Sequence, residues 1–308
     1  MDDRSAGSHR MDLPIYTVDS FSSTPFGGNP AAVCIIRHNQ RLTESTMQGI
    51  ASEMNLSDTA FVQELKEEDL SKGDRFGLRW FTPANEVSLC GHATLASAAV
   101  LFQKYENGNK KIRFETKSGT LVAENNGDVI VMELPLPDLT DQMPEDTSAV
   151  LEIIVPNFKA ERSEMVLRYS PMREKLLVRL PPSWSRDDLE SVEIPDSKLL
   201  LAAHDASKFK AVILTTNAPA SSTSSKPYDF ISRYFAAWNG ISEDPVTGSA
   251  HTVLGKFWSE ELGASQFYAR QCSKRGGDLT VHIDATKGSV YVGGPACLFL
   301  CGSIRVCL

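Results

Sequence analysis

The sequence predicts an α+β protein of two similar domains, each a curved, mostly antiparallel sheet wrapped around a central helix. Three observations predict it. Cys90-Gly91-His92-Ala93-Thr94 opens a run of small and apolar residues to Phe102 that covers nearly every face of a helix, and a helix apolar all round is buried on all sides. Short segments of alternating polarity surround that run, as strands half-buried on a core do. The pattern also recurs. Arg79-Trp80-Phe81 and then Asn85 precede the first helix start, and Arg233-Tyr234-Phe235 and then Asn239 precede a second, Glu243-Asp244-Pro245-Val246-Thr247-Gly248-Ser249-Ala250-His251. The Phe-to-Asn spacing is the same, and the second copy carries a few extra residues before its glycine. A repeat this long exceeds a solenoid unit and reads as two related domains facing each other, with a ligand cleft between them.

The elements follow in order. The polar stretch at 1–10 reads as a tail, expected to be disordered, and is set aside. Residues 11–134 are assigned to an N-terminal domain and 135–308 to a C-terminal domain, with the last strand either staying there or returning to the first. Leu13 to Val18 is a strand, Phe26-Gly27-Gly28-Asn29-Pro30 a turn, and Ala31 to Ile36 a buried strand. Thr43 is placed to cap a helix through Met54, whose Met47, Ile50, Ala51 and Met54 make one apolar stripe. Thr59 to Val62, Gly77 to Phe81, Ile112 to Phe114, Thr120 to Ala123 and Val129 to Leu134 are strands, with a turn at Asn125-Asn126-Gly127. Leu134-Pro135-Leu136-Pro137-Asp138 is stiff and reads as the inter-domain link. Lys175 to Leu180 and Ala211 to Thr215 are strands, and Ala220 to Pro227 a Ser/Thr-rich surface loop. Ala250, Val253, Leu254, Phe257, Trp258 and Leu262 form a helical stripe. Leu279 to Ile283 and Val290 to Val292 alternate around a turn at Thr286-Lys287-Gly288 as a hairpin does.

Bulk properties narrow the function. A chain of 308 residues holds two domains with ample core, and a net charge of -8 argues against a nucleic-acid partner. No apolar run reaches membrane-spanning length, and no signal peptide is read at the start. Six cysteines, Cys34, Cys90, Cys272, Cys297, Cys301 and Cys307, form no CxxC pair and have no His-x3-His beside them. They read as reduced thiols of a cytoplasmic protein, and neither a metal nor a cofactor is expected.

Each helix start points backbone N–H groups and a partial positive charge at whatever lies in front of it. Ser249 and the N–H groups near Gly91 and Gly248 therefore suit a substrate carboxylate or a developing oxyanion. His92, in a first turn, is expected to stay neutral under the helix dipole and to act as a hydrogen-bond partner or electrophile, or else to cap its own helix. Asp244 is either a helix cap or a second acid/base. Glu53 ends the Thr43–Met54 helix. With partial burial there its pKa rises towards general acid/base use; without it, Glu53 is a solvated glutamate on a helix flank. Cys90, beside a helix start, is the natural base of a rival, cysteine-assisted epimerase or racemase. No GxGxxG, P-loop or GxSxG motif is present.

At these residues the chain resembles the PhzF-like family. The matching segments are Phe26 to Val33, Glu53 to Thr59, Cys90 to Thr94, Glu243 to Ala250 and Gln271 to Gly277. The resemblance runs from Met11 to the C-terminus, and several motifs in one order make it specific. It implies a diaminopimelate-epimerase-like fold with the site in the cleft, a homodimer, and cofactor-free isomerisation of a small carboxylic acid. By motif, Glu53 is then the general acid/base, His92 and Asp244 assist and orient, and Gly91 with Ser249 holds the carboxylate. Asp58 stands where the family usually has Glu. Related racemases place a cysteine at each helix start. Pro245-Val246 occupies the second place here, which leaves Cys90 without a partner thiol. The expectation is an isomerase; a binding or regulatory protein that keeps the cleft without turnover is the rival of another class.

Overall fold

The computed structural model describes residues 10–156, 162–218 and 227–307. The expected tail, apart from Arg10, and the expected loop at 220–227, apart from Pro227, lie outside the described residues. The chain forms two compact units. Unit 1 takes Met1–Asp19, Pro30–Asn125 and Ala296–Leu308, and unit 2 takes Ser20–Asn29 and Asn126–Pro295.

In unit 1, strand β1 (Arg10–Ser20) starts three residues before the expected Leu13 and pairs with β2 (Asn29–Ile36). β2 runs parallel to β3 (Asp58–Glu64), with Ala31 opposite Asp58. β3 is antiparallel to β4 (Arg75–Phe81). β4 is antiparallel to β5 (Glu86–Val87) and parallel to β6 (Lys111–Thr116), and β6 is antiparallel to β7 (Gly119–Asn126).

Helix α1 (Glu44–Met54) begins as its sequence asks. Thr43 has an extended backbone and its Oγ1 accepts from the Thr46 N–H at 3.1 Å, which satisfies one of the orphan donors of the first turn. It ends on Asn55 in the left-handed region, φ 50°, whose N–H bonds to the Ala51 carbonyl. Met47, Ile50 and Ala51 are buried against Leu13, Ala32, Cys34, Ile36, Phe61 and Phe81. Burial of Met47 and Ile50 contributes about 1.5–3 kcal/mol each.

Helix α2 (Gly91–Ala99) is buried from His92 to Ala99, continues through a π-helical turn at Val100–Lys104, and packs on β3 and on β17 (Ala296–Cys307). That is the buried helix expected, with the i→i+5 turn closing on Tyr105 N–H to Val100 carbonyl, 3.2 Å.

Unit 2 repeats the strand pattern. β10 (Lys175–Arg179) is parallel to β11 (Ala211–Asn217), and β11 is antiparallel to β12 (Phe230–Ala236). β12 is antiparallel to β13 (Ile241–Glu243) and parallel to β14 (Gln266–Gln271). β14, β15 (Gly277–Asp284), β16 (Ser289–Gly294) and β8 (Val129–Pro135) follow as antiparallel neighbours, and β9 (Val166–Ser170) edges β10. Leu134 and Pro135 are therefore no link. They pair with Val290 and Ser289 at the end of β8, where a strand tolerates proline.

Three short helices, α3 (Thr147–Ile154), α4 (Arg186–Ser191) and α5 (Ser197–Ala203), were not read from the sequence, and neither were β9 and β14. The central helix α6 (Gly248–Leu262) packs on β10, β15 and β16. Gly255 permits the approach: a Cβ there would lie 2.6 Å from Val281 Cγ1. Among the described residues no helix is long and apolar enough to cross a membrane.

Candidate active site

The start of α2 carries the first group of residues. Cys90, its N-cap, has an extended backbone and makes no side-chain capping bond to the helix. His92 is buried, with Nδ1 3.3 Å from Cys90 Sγ and Nε2 3.1 Å from Ser57 Oγ. Ser57 Oγ donates to the Pro30 carbonyl at 3.3 Å. With that proton committed, Nε2–H donates to Ser57, and Nδ1 accepts from the Cys90 thiol. Asp58, also buried, has Oδ2 3.8 Å from Nε2. Burial lowers the His92 pKa to about 4, so the ring is neutral at physiological pH. The neutral imidazole agrees with the expectation, but burial is the cause. The left-handed turn at Asn55 carries the chain from α1 to Ser57 and Asp58.

Glu53 stands apart. It is exposed on the last turn of α1, so the partial burial expected of it is absent. Among the described residues no hydrogen bond joins it to the Cys90–His92 group.

The second group surrounds Asp244, between β13 and α6. The side chain is buried. Asn29 Nδ2 donates to Oδ1 at 2.9 Å and also to the Val246 carbonyl at 2.9 Å, and Thr247 Oγ1 donates to Oδ2. Gln271 Nε2 donates to the Asp244 carbonyl at 2.6 Å, while its Oε1 accepts from the Thr247 N–H at 2.9 Å. Burial lifts the Asp244 pKa to about 6; the Thr247 and Asn29 hydrogen bonds and the charge of Lys175 oppose the rise. Lys175, itself buried beside Tyr234, has its pKa lowered to about 8, chiefly by desolvation. Asp244 is thus not a helix cap. Thr247, the residue in the N-cap position, turns its hydroxyl to Asp244, and α6 has no side-chain capping bond. Gly248 is buried in its first turn and Ser249 half-buried.

A clamped turn places Asn29. Arg275 Nε donates to the Gly28 carbonyl at 2.9 Å and Nη2 to the Gly27 carbonyl at 2.8 Å, and the Gly28 N–H reaches the Gly276 carbonyl at 2.7 Å. Gly28 sits at φ +62°, and a Cβ there would stand 2.1 Å from the Ser20 carbonyl oxygen, so no other residue fits.

The structure thus gathers His92 with Cys90 and Gly91 in unit 1, and Asp244 with Gly248 and Ser249 in unit 2. Sequence reasoning missed Ser57, Asn29, Thr247, Gln271 and Lys175 as site residues. All but Lys175 lie inside the matched motif segments, and membership of those segments was the available signal.

The family model of the phenazine biosynthesis-like proteins matches residues 18–302. The phenazine biosynthesis-like domain-containing protein of Bos taurus is 45% identical over 296 residues, covering 96% of this chain and 99% of its own. A Halalkalibacterium halodurans protein described as an uncharacterized isomerase is 38% identical, with 89% and 92% covered. The solved structure of a PhzF-family protein from Enterococcus faecalis is 34% identical, with a TM-score of 0.77 over 96% of this chain and 99% of that one.

Proposed function

This chain belongs to the phenazine biosynthesis-like protein family, and from that premise we propose that it is a cofactor-independent isomerase that moves a proton on a small carboxylic acid. The observation that carries the reading is Asp244. A buried carboxylate with its pKa raised to about 6 exchanges protons near neutrality, where general acid/base catalysis is most effective. Neutral His92 supplies a second group that donates or accepts a hydrogen bond without a change of charge. The 38% identical bacterial relative that bears the name isomerase supports the reaction class.

The roles follow. Glu53, in the family's Glu-Met-Asn-Leu-Ser segment, takes the proton; its exposure leaves it open to incoming substrate. His92 and Asp244 orient the reacting system and share the charge. Gly91, and Gly248 with Ser249, present helix-start N–H groups suited to a substrate carboxylate or to the anion formed. The setting proposed is a cytoplasmic homodimer, which sedimentation equilibrium tests.

The test is proton exchange with solvent. Incubated with a small-metabolite extract in D2O, the protein labels a carboxylic acid by mass spectrometry, and Glu53→Gln abolishes the labelling. If no compound is labelled across a broad extract, the reading is wrong and a non-catalytic binding role replaces it. The Cys90–His92 contact of 3.3 Å favours a second reading, in which the Cys90 thiol is the proton carrier. In that case Cys90→Ser, and not Glu53→Gln, removes the labelling.

A further inference from the structure

The groups around His92 form a set of metal-ligand types that no spacing in the sequence announces. Asp58, Cys90 and His92 are all buried, and their ligand atoms lie within 4.8 Å of one another. They come from two elements: Asp58 opens β3, while Cys90 caps α2 and His92 sits in its first turn.

The geometry is near that of a tetrahedral ion. Bonds of about 2.3 Å to sulfur and about 2.0 Å to nitrogen or oxygen set the ligand atoms roughly 3.3–3.8 Å apart. Cys90 Sγ and His92 Nδ1 are already 3.3 Å apart, and one carboxylate oxygen of Asp58 completes a set whose ligand atoms lie within 4.8 Å of one another. Side-chain rotation of about 1 Å closes the set at its widest. Ser57 Oγ, 3.1 Å from Nε2 and bonded to the Pro30 carbonyl, fixes the ring through the nitrogen opposite Cys90, the second-shell arrangement that orients ligating histidines. A thiolate and an imidazole select a borderline-soft ion over Mg2+ or Ca2+. The thiolate and carboxylate together neutralise a divalent charge.

We propose that Asp58, Cys90 and His92 form a reversible Zn2+ site whose occupation takes His92 out of its orienting role and so switches off turnover. On binding, the Cys90 S–H bond is replaced by an S–Zn bond and the proton is released to solvent. The imidazole lone pair is taken by the ion, and a fourth position is left for water. The switching part rests on the reading of function above; the binding part does not.

Co2+ is the probe, in a chain carrying Cys301→Ser and Cys307→Ser to remove the exposed thiols. One equivalent is expected to raise a near-ultraviolet thiolate-to-cobalt absorption band. Zn2+ displaces it, and Cys90→Ser, nearly isosteric, abolishes it. In the unaltered chain, Zn2+ protects Cys90 from iodoacetamide, located by peptide mass spectrometry. No band with Cys90 intact, a band that survives Cys90→Ser, or alkylation unchanged by Zn2+ overturns the site. If Zn2+ binds but deuterium labelling proceeds at full rate, the switch is overturned and the binding site stands. Absence of labelling without metal strikes the functional reading alone, since the spectroscopic result does not depend on it.

Discussion

In unit 1, β4 runs antiparallel to β3 and β5 and parallel to β6; in unit 2, β12 has the same relations to β11, β13 and β14. The side chains repeat with the strands. Arg79 Nε bonds to Glu86 at 2.6 Å and its guanidinium lies 5.1 Å from the Phe81 ring. Arg233 Nε bonds to Glu243 at 2.7 Å and lies 4.9 Å from Phe235. Two things differ. Arg79 is 29% exposed and Arg233 only 5%, and Arg233 also donates to the carbonyls of Leu189 and Val192. The chemistry at the helix starts differs too, a thiol and a neutral imidazole in unit 1 against a cradled carboxylate in unit 2. The strand frame thus holds a helix start in place whichever titratable group stands on it.

The comparison breaks most sharply at Asp244. Asp244→Asn keeps the shape of its cradle but removes the titrating proton, and the rate of deuterium labelling is expected to fall by about 10²–10⁴-fold. Labelling at the unaltered rate would assign the chemistry to unit 1 alone.

The repeated ion pair comes next. Arg233→Met leaves Glu243 buried and unpaired and is expected to cost about 3–5 kcal/mol in urea unfolding. The matching Arg79→Met is expected to cost about 1 kcal/mol or less, since that pair is partly solvated. Equal losses would mean that burial is not what separates the two copies.

His251 gives a pH test confined to unit 2. It is fully buried, its Nδ1 is 2.9 Å from the Thr247 carbonyl oxygen, and desolvation lowers its pKa from 6.5 to about 4. Between those values the unfolded chain binds the proton and the folded chain does not. The contribution is therefore complete above pH 6.5 and is lost as pH falls towards 4, by about 3 kcal/mol. Unfolding free energies at pH 7 and 4.5 should differ accordingly, and the difference should shrink in His251→Leu.

Asn29→Ala has a smaller effect on activity. Its amide favours the ionised Asp244, so its loss should move the pH–rate limb upward from about 6. A limb that stays in place would assign the titration to another group. The smallest effect belongs to Thr43→Ala, a lost cap worth about 1 kcal/mol by thermal unfolding. It loosens α1 and with it Glu53, while leaving the Asp244 limb where it was.

Much of the frame was legible. The Arg-aromatic-Phe repeat marked the two central strands, the all-apolar run after Gly91 marked a buried helix, and Thr43 with its stripe marked α1. The short helices α3 to α5 were not, because six to eight residues hold too few turns for a period to stand out. Pro135 was misread as a link because proline at a strand's last position looks the same in sequence as proline in a linker. At the site, Asp244 and His92 were legible from their helix starts, but the burial expected at Glu53 was not found. Its place on the flank of α1 depends on how that helix is turned against the sheet.

The sequence by itself determined the α+β class, the doubling of the strand–turn–helix unit and the two glycine-containing helix starts. These depend on local periodicity and on glycine and threonine at fixed offsets. Only the tertiary structure decided that Asn29 and Thr247 both donate to Asp244, that Arg275 clamps the turn carrying Asn29, and that Asp58, Cys90 and His92 come together. The reason is physical. Side-chain pKa values and ligand sets depend on which distant groups share a buried volume, and that follows from strand register and helix packing rather than from spacing along the chain.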